Sequence, residues 1–404
     1  MPSLLTLPPE IIHHILSYIP LQHDLLSFAL ASRTCARHSI PTHTQYRFIR
    51  ASITHHHIWL HLAQRTDLAR NIRELHICHP TLHTPPSSLS LSLPPIPLDD
   101  KALNLESTLM SVAISALVSM PLLTTFIWSS IDMYVNPTDY FQWEVSLLNA
   151  LISRCHSLHR IRLLGNFARN AHLHSSYPVW RLRNLTTLCL QGKLWFSPAN
   201  SPYLVHLLAA NPNLEHLEVP MEFSRLSVCN LPHLKRLRLD LVSGAPLHID
   251  QVHLEFFSNH STIEDLHWYP VNNNLHLPSG LLPNLKRLRS RTSIIEALYS
   301  DSSQLPSQNE SYVQFNTPSS TLSASLLMFR TIEHLDIERL SPATFRILSS
   351  APLESRASLN KLVLHRLTAS DPIHQLGTAF PNLSFIHLPG TMENPVTSGS
   401  YKIN

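Results

Sequence analysis

The stretch LPHLKRLRL at residues 231–239 has the form apolar-x-x-apolar-x-apolar, and this form decides the fold. Close copies are NPNLEHLEV at 211–219 and LPNLKRLRS at 282–290. The pattern opens eleven times, at Ile72, Leu123, Leu158, Leu185, Leu214, Leu234, Ile263, Leu285, Ile332, Leu359 and Leu383. A unit that recurs at short intervals predicts a fold built by stacking one structural element. Such folds typically present long binding surfaces, and catalytic centres are uncommon on them.

Each copy of the pattern predicts a strand, in which alternate residues face opposite sides. Leu237 and Leu239 then point into the core, whereas Arg236 and Arg238 point outward. Between copies, Ser201-Pro202 and Ser341-Pro342 place a capping residue ahead of a proline at the first helical position. The repeating unit is therefore strand, loop, helix, loop.

From Ile72 to Leu388 this pattern resembles the leucine-rich repeat. The consensus asparagine after the strand is kept at Asn166, whereas Leu340 and Leu367 stand at that position elsewhere. The resemblance implies an α/β solenoid with a curved parallel sheet and helices on its convex side. In this family the concave face often binds the partner.

The outward positions of three successive repeats are rich in arginine. Adjacent strands lie about 4.8 Å apart, so these positions form one patch. Guanidinium groups match the geometry of carboxylates and phosphates, which predicts that the patch binds an acidic or phosphorylated segment. The alternative is a solvated polar face with no specific ligand. The predicted substrate-binding residues are Arg236, Arg238, His267, Tyr269, Arg287, Arg289 and Arg291.

The N-terminal sequence LPPEIIHHILSYIPLQHDLLSFALASRT, at 7–34, differs from the repeats. Apolar residues between Ile11 and Ile19 have helical spacing, Pro8 and Pro9 suit a helix start, and Pro20 ends the helix. A second helix follows. Two short helices cannot bury much surface by themselves, so their remaining apolar face should contact the rest of the chain or another protein.

This N-terminal segment resembles the F-box, with Leu7-Pro8, Asp24-Leu25-Leu26 and the run Ala29 to Arg33 among the matching features. Cys35 stands where many members carry an aromatic residue. The resemblance implies binding to the Skp adaptor and, through it, to a cullin in a ubiquitin ligase. Some of the matching residues could instead form the module's own core. By family position, the predicted adaptor-binding residues are Leu7, Pro8, Ile11, Ile12, Ile15, Leu16, Leu21 and Leu25.

These patterns predict an F-box module at 1–45, a connecting helical segment at 46–70 and a repeat region at 71–390. Proline- and serine-rich insertions are expected near 80–100 and 300–325, and a loose tail at 391–404.

The composition bears on which classes of partner and which compartment are expected. The chain has 404 residues and a net charge of +3, which is too weakly basic to indicate nucleic acid. Five cysteines without a Cys-x-x-Cys motif favour a reducing compartment, hence the cytoplasm or nucleus. The uncharged stretch Ser107 to Ile131 could span a bilayer, but its division into helix-like and strand-like halves favours a buried repeat.

No motif indicates a nucleophile, a phosphate loop or a cofactor, so no cofactor is expected. His57 with His61, and His76 and Cys78 with His79 and His83, have ligand-like spacing, but neither set has a matching second half, and no metal is expected. The order F-box then repeats resembles non-catalytic receptors that select substrates for ubiquitin ligases. The alternative is a repeat scaffold without a ligase role.

Overall fold

A computed structural model describes residues 7–19, 22–40, 43–44, 46–53, 55–78, 111–129, 137–165, 175–192, 195, 197–220, 223–240, 249–272, 275, 277–278, 281–299, 332–366, 372–388 and 400–402. The chain divides into two compact units, Met1–Asn211 and Pro212–Asn404.

Unit 1 (Met1–Asn211) begins with three helices, α1 (Pro9–Tyr18), α2 (Gln22–Ala31) and α3 (Arg33–Ser39). Pro9 occupies the first helical position of α1, where a missing N–H costs little. Ser32 caps α3, because its hydroxyl accepts a hydrogen bond from the Cys35 amide at 3.1 Å. Cys35 is buried, so it fills the core position where the family often has an aromatic residue.

The rest of unit 1 alternates strands and helices. The strands are β1 (Phe48–Ser52), β2 (Glu74–Cys78), β3 (Thr125–Ser129), β4 (Arg160–Leu164) and β5 (Thr187–Gln191), and each is parallel to the next. The helices are α4 (His56–Gln64), α5 (Thr66–Ala69), α6 (described at 111–118), α7 (Pro137–Arg154) and α8 (Ser201–Ala209). Short 3-10 helices span Pro178–Arg181 and Pro198–Asn200.

Unit 2 (Pro212–Asn404) repeats this plan. Its parallel strands are β6 (His216–Pro220), β7 (Arg236–Asp240), β8 (Asp265–Trp268), β9 (Arg287–Ser290), β10 (His334–Ile337), β11 (Lys361–Leu364) and β12 (Phe385–His387). Its helices are α9 (Ile249–Asn259), α10 (Thr292–Tyr299), α11 (Pro342–Ser350), α12 (Leu353–Ser358) and α13 (Leu376–Ala379), with 3-10 turns at Leu226–Val228 and Ile373–Gln375. A last strand, β13 (Ser400–Lys402), runs antiparallel to β12.

Each of the eleven sequence patterns forms a strand that begins two residues after its opening residue. All eleven opening residues are buried, and the inward leucines such as Leu237 and Leu239 are buried with them. One parallel strand per pattern, in sequence order within each unit, confirms the predicted leucine-rich-repeat architecture.

Two strands differ from the sequence prediction. The segment 46–70 contains α4 and α5, but it opens with the strand β1. In this strand Ala51 and Ser52 are buried, and Phe48 is exposed at the end of the sheet. Within the tail at 391–404, residues 400–402 pair with β12 and supply partners for its otherwise unpaired backbone. The insertions predicted at 80–100 and 300–325 lie outside the described residues.

Buried polar side chains connect successive repeats. In unit 1, the Asn211 amide donates to the carbonyls of Leu207 and Leu182 and accepts from the Leu185 amide. In unit 2, His260 occupies the same place relative to the next strand. Its Nε2 accepts from the Leu231 amide at 2.9 Å, and its Nδ1 lies 2.7 Å from the Phe256 carbonyl. A neutral imidazole satisfies both contacts, and burial lowers the pKa of His260 accordingly.

Candidate functional site

Helix α1 carries apolar residues on two faces. Ile12, Leu16 and Ile19 recur at helical spacing and face inward, where Ile12 and Leu16 form a core cluster with Leu25 of α2. A second stripe on α1 is apolar and faces solvent: Leu7 is 38% exposed, Ile11 47% and Ile15 37%, and Tyr18 is more exposed still. These exposed side chains are not part of the core of the module, so the stripe is a candidate binding surface.

Helix α2 repeats the division. Leu25 and Ala29 are buried, whereas Leu26 and Leu30, which lie one turn apart, are exposed. We refer to Leu7, Pro8, Ile11, Ile15, Tyr18, Leu26 and Leu30 as the N-terminal apolar face. Of the predicted adaptor-binding residues, Leu7, Pro8, Ile11 and Ile15 lie on this face, Ile12, Leu16 and Leu25 lie in the core, and Leu21 lies outside the described residues.

Arg47 fixes the helical module to the first strand of unit 1. Its guanidinium donates to the carbonyls of Leu16 and Ile19 at the C-terminal end of α1, where the Leu16 carbonyl also accepts from the Ile19 amide. The cation also lies at the negative end of the helix dipole. Arg47 is buried, and burial together with the charge of Arg73 lowers the pKa of its guanidinium to about 10. Nothing in the local sequence pattern identified this residue.

A histidine pair lies beside this contact. His13 Nδ1 and His43 Nε2 are 3.0 Å apart, and the two rings are stacked. Burial, followed by the charge of Arg47, lowers the pKa of His43 to about 4, and burial also lowers the pKa of His13. Both rings are therefore neutral near pH 7, which allows one nitrogen to donate to the other.

In unit 2, the parallel register aligns the predicted substrate-binding residues. One row across the strands contains Arg236, Asp265, Arg287, His334 and Lys361. The adjacent row contains Glu218, Arg238, His267, Arg289 and Asp336. Tyr269 and Arg291 follow directly after β8 and β9. The structure thus brings all seven residues together on β7, β8 and β9, and we refer to them as the arginine face.

Three arginines of this face lie beside acidic side chains. Arg238 Nε lies 3.2 Å from Glu218, whose side chain is only 2% exposed, whereas that of Arg238 is 39% exposed. Arg289 Nε lies 3.4 Å from Asp336, and Arg287 lies 3.7 Å from Asp265. In each pair the arginine is the more exposed partner, and the carboxylate lies beside it on the neighbouring strand.

Tyr269 and His267 complete the arginine face. The Tyr269 hydroxyl accepts a hydrogen bond from Arg289 Nε at 3.2 Å, and its ring meets that of His267 edge to face. Burial, Arg238 and Arg289 together lower the pKa of His267 to about 3. His267 is therefore neutral at physiological pH and lies between two positive groups.

Comparison with known proteins identifies the N-terminal helices. The family model of the F-box domain matches residues 4–39. The N-terminal module is an F-box domain. Its matched residues contain α1, α2 and α3 and the whole of the N-terminal apolar face.

The other comparisons are more distant. A search of curated proteins found no match. Among solved structures, the chain is similar to the crystal structure of the Rad7 and Elc1 complex in yeast, with 15% sequence identity and a TM-score of 0.35. That similarity covers 83% of this chain and 77% of the other.

The candidate metal-ligand sets can be followed only within the described residues. Among the described residues, no group of three or more His, Cys, Asp or Glu side chains is placed to hold a metal ion, and His79 and His83 lie outside those residues. Within the same part of the chain, no helix combines the length and apolar character needed to cross a membrane. All five cysteines are buried, and none of them forms a disulfide.

Proposed function

We propose that this chain is the substrate receptor of a Skp–cullin–F-box type ubiquitin ligase. Its F-box domain binds the Skp adaptor and, through the adaptor, a cullin. Its repeats bind the protein to be modified. The chain itself performs no chemistry in this assembly, because the activated ubiquitin is carried by other subunits. The receptor accelerates transfer by holding the substrate near that ubiquitin.

One observation carries the proposal most directly: the F-box domain has a closed core and an exposed apolar stripe on the same helix. Ile12 and Leu16 already form the core with Leu25, so Ile11 and Ile15 are available to a partner. An amphipathic helix with an unpartnered apolar face is suited to a hydrophobic groove on another protein. The adaptor is the partner that the F-box resemblance implies.

Substrate selection is assigned to the repeats because unit 2 presents a contiguous row of charged side chains from successive strands. Each strand contributes side chains at the same register, so a partner segment can contact several repeats at once. The second candidate function is a repeat scaffold in which the same face binds a partner without ubiquitin transfer.

The decisive experiment is co-purification of the full chain with a recombinant Skp adaptor. The test variant is Ile11→Asp with Ile15→Asp, two exposed positions of the N-terminal apolar face. Burying an exposed isoleucine in an interface is worth about 1.5–3 kcal/mol, so losing two should weaken binding by about a hundredfold or more.

The matched control is Val228→Asp with Leu353→Asp, which makes the same chemical change at two exposed apolar positions in unit 2. We expect the control to be captured as well as the unaltered chain. If the folded, unaltered chain captures no adaptor, the receptor function is rejected and the scaffold function takes its place. Equal capture of the test and control variants would show that the N-terminal apolar face is not part of the adaptor interface.

A further inference from the structure

The arginine face has a spacing that a ligand would have to match. Arginines occupy two alternate positions of β7, at Arg236 and Arg238 ahead of Asp240, and two of β9, at Arg287 and Arg289. The intervening strand β8 carries Asp265 and His267 at the same register positions. Because neighbouring strands lie about 4.8 Å apart, the two arginine strands are separated by about 9.6 Å.

The solvent-facing charge of these strands is positive even though acids are nearby. Glu218 is almost fully buried beside Arg238, and Asp336 is less exposed than Arg289. Tyr269 holds Arg289 from a second direction. Groups held in this way lose little conformational freedom when they bind a ligand, so they are pre-organised for an anion.

The position between the two arginine strands supports the same conclusion. The charges of Arg238 and Arg289 outweigh the opposing effect of Glu218 on His267, and they act with burial to keep this imidazole neutral. A negatively charged group near His267 would be attracted by Arg238 on one side and by Arg289 on the other.

We propose that unit 2 anchors an extended acidic segment of its protein partner, with one carboxylate at Arg236 and Arg238 and a second at Arg287 and Arg289. The inference rests on the proposed function only in taking the bound protein to be a ubiquitylation substrate.

Strand geometry fixes the spacing of the two carboxylates. A segment in the extended polyproline II conformation advances about 3.1 Å per residue with three residues per turn, so acidic side chains at positions i and i+3 point the same way and lie about 9.3 Å apart. A segment crossing the strands would then place one acid over β7 and the next over β9. Because each anchor already includes a carboxylate of this chain, it suits a single additional negative charge better than a phosphate dianion.

The test uses the full chain and short blocked peptides carrying a fluorophore. One peptide has glutamates at i and i+3, a second has them at i and i+1, and a third has one phosphoserine and no glutamate. Fluorescence anisotropy at low ionic strength measures Kd for each. We expect the i, i+3 peptide to bind most tightly, and added salt to weaken it because the contacts are exposed.

The test variant is Arg236→Gln with Arg287→Gln. These positions avoid the buried Glu218, which would lose its partner if Arg238 were replaced and would be repelled by Arg238→Glu. The matched control is Lys235→Gln with Lys286→Gln, which removes the same charge from the same two repeats one position earlier. Both lysines are exposed and pair with exposed glutamates, so the fold tolerates their loss.

The expected result is a Kd for the i, i+3 peptide that rises roughly tenfold in the arginine variant and changes by less than about twofold in the lysine control. Equal weakening in both variants, tighter binding of the i, i+1 or phosphoserine peptide, or no binding of any peptide would each overturn the inference. Adaptor capture, measured on the same variants, should be unchanged. Failure of the acidic-segment inference is thus distinguishable from failure of the receptor function.

Discussion

Arg47 shows how one side chain joins two parts of unit 1. It precedes β1, and its buried guanidinium binds carbonyls at the end of α1. The Arg47 carbonyl in turn accepts from the amides of Arg73 and Glu74 at the start of β2. A single residue therefore connects the F-box domain to the first two strands of the sheet.

Replacing Arg47 with methionine should destabilise this junction. The change keeps the apolar stem but removes the guanidinium donor from the Ile19 carbonyl and leaves the Leu16 carbonyl with the Ile19 amide alone, at a cost of about 2 kcal/mol. Hydrogen exchange at the amides of α1 should accelerate, and the urea midpoint should fall. The control is Arg50→Met, at an exposed position on β1. If both variants have the same exchange rates, Arg47 does not support the helix.

His43 should make the stability of unit 1 dependent on pH. Its folded-state pKa of about 4 lies below its ordinary value of 6.5, so the folded protein disfavours the proton. Well above pH 6.5, the contribution of neutral His43 to the free energy of unfolding is fully present. As the pH falls from there toward 4, the unfolded chain takes up a proton that the folded chain does not, and the free energy of unfolding decreases.

The slope attributable to this one group is at most about 1.4 kcal/mol per pH unit. His43→Gln should flatten the profile between these pH values relative to the unaltered chain, as measured by urea unfolding at a series of pH values. His23→Gln, at an exposed position, serves as the control. A parallel decline in all three proteins would refute the contribution of His43.

Sequence spacing could not assign the isoleucines and leucines of α1 to a face. Ile11 and Ile12 are adjacent and chemically identical, yet one is exposed and the other buried. Both lie on apolar stripes with helical spacing, so the distinction depends on where α2 packs. Arg47 was missed for a similar reason, because its partners are backbone carbonyls about thirty residues away and leave no side-chain signature.

At the scale of elements, buried and exposed polar contacts contribute different amounts to the free energy of unfolding. In unit 2, Lys235 lies 3.3 Å from Glu215 and Lys286 lies 2.9 Å from Glu264, but all four side chains are roughly half exposed. Exposed pairs of this kind contribute less than about 1 kcal/mol each. The buried Asn211 in unit 1 satisfies three backbone groups at once and should contribute far more.

Asn211→Leu should therefore lower the free energy of unfolding by about 2 kcal/mol or more, because a leucine of similar size leaves the Leu185 amide and the Leu207 carbonyl unsatisfied, whereas the Leu182 carbonyl still accepts from Arg183. Asn71→Leu is the matched control, since Asn71 donates one hydrogen bond, to the Asp67 carbonyl, near the surface. We expect the control to lose less than about 1 kcal/mol. Thermal or urea unfolding measures both, and equal losses would contradict the role of Asn211.

The eleven strands of the repeats could be predicted from sequence because each follows a buried leucine or isoleucine at fixed spacing and has inward apolar residues. β1 was not predicted, since the sequence FIRAS has no leucine pattern and its outer edge leaves Phe48 exposed. β13 was not predicted either, because its pairing depends on the free edge of β12 and not on its own sequence. The arginine face followed from the pattern, but its supporting acids Glu218 and Asp336 required the register.

For the whole molecule, the cysteines share one property across both units. None of the five forms a disulfide, and each is at most 6% exposed. Burial raises the thiol pKa of Cys155 and of Cys229 to about 12, so almost none of either is the reactive thiolate near neutral pH.

The native chain should therefore resist thiol reagents. We expect Ellman's reagent at pH 8 to react slowly with the folded protein and to report five thiols only after denaturant is added. The rate of the native reaction then measures local opening. Rapid reaction of any cysteine in the folded state would show that its site is accessible.

Because its native thiols are buried, the chain is also suited to labelling with fluorescent dyes at chosen sites. A cysteine introduced at an exposed position, such as His23→Cys in the F-box domain or Leu353→Cys in unit 2, would be the preferred point of attachment for a maleimide dye. The native thiols need not be removed first. A donor and acceptor placed at these two positions would report, by energy transfer in single molecules, the distance between the F-box domain and unit 2 as partners are added.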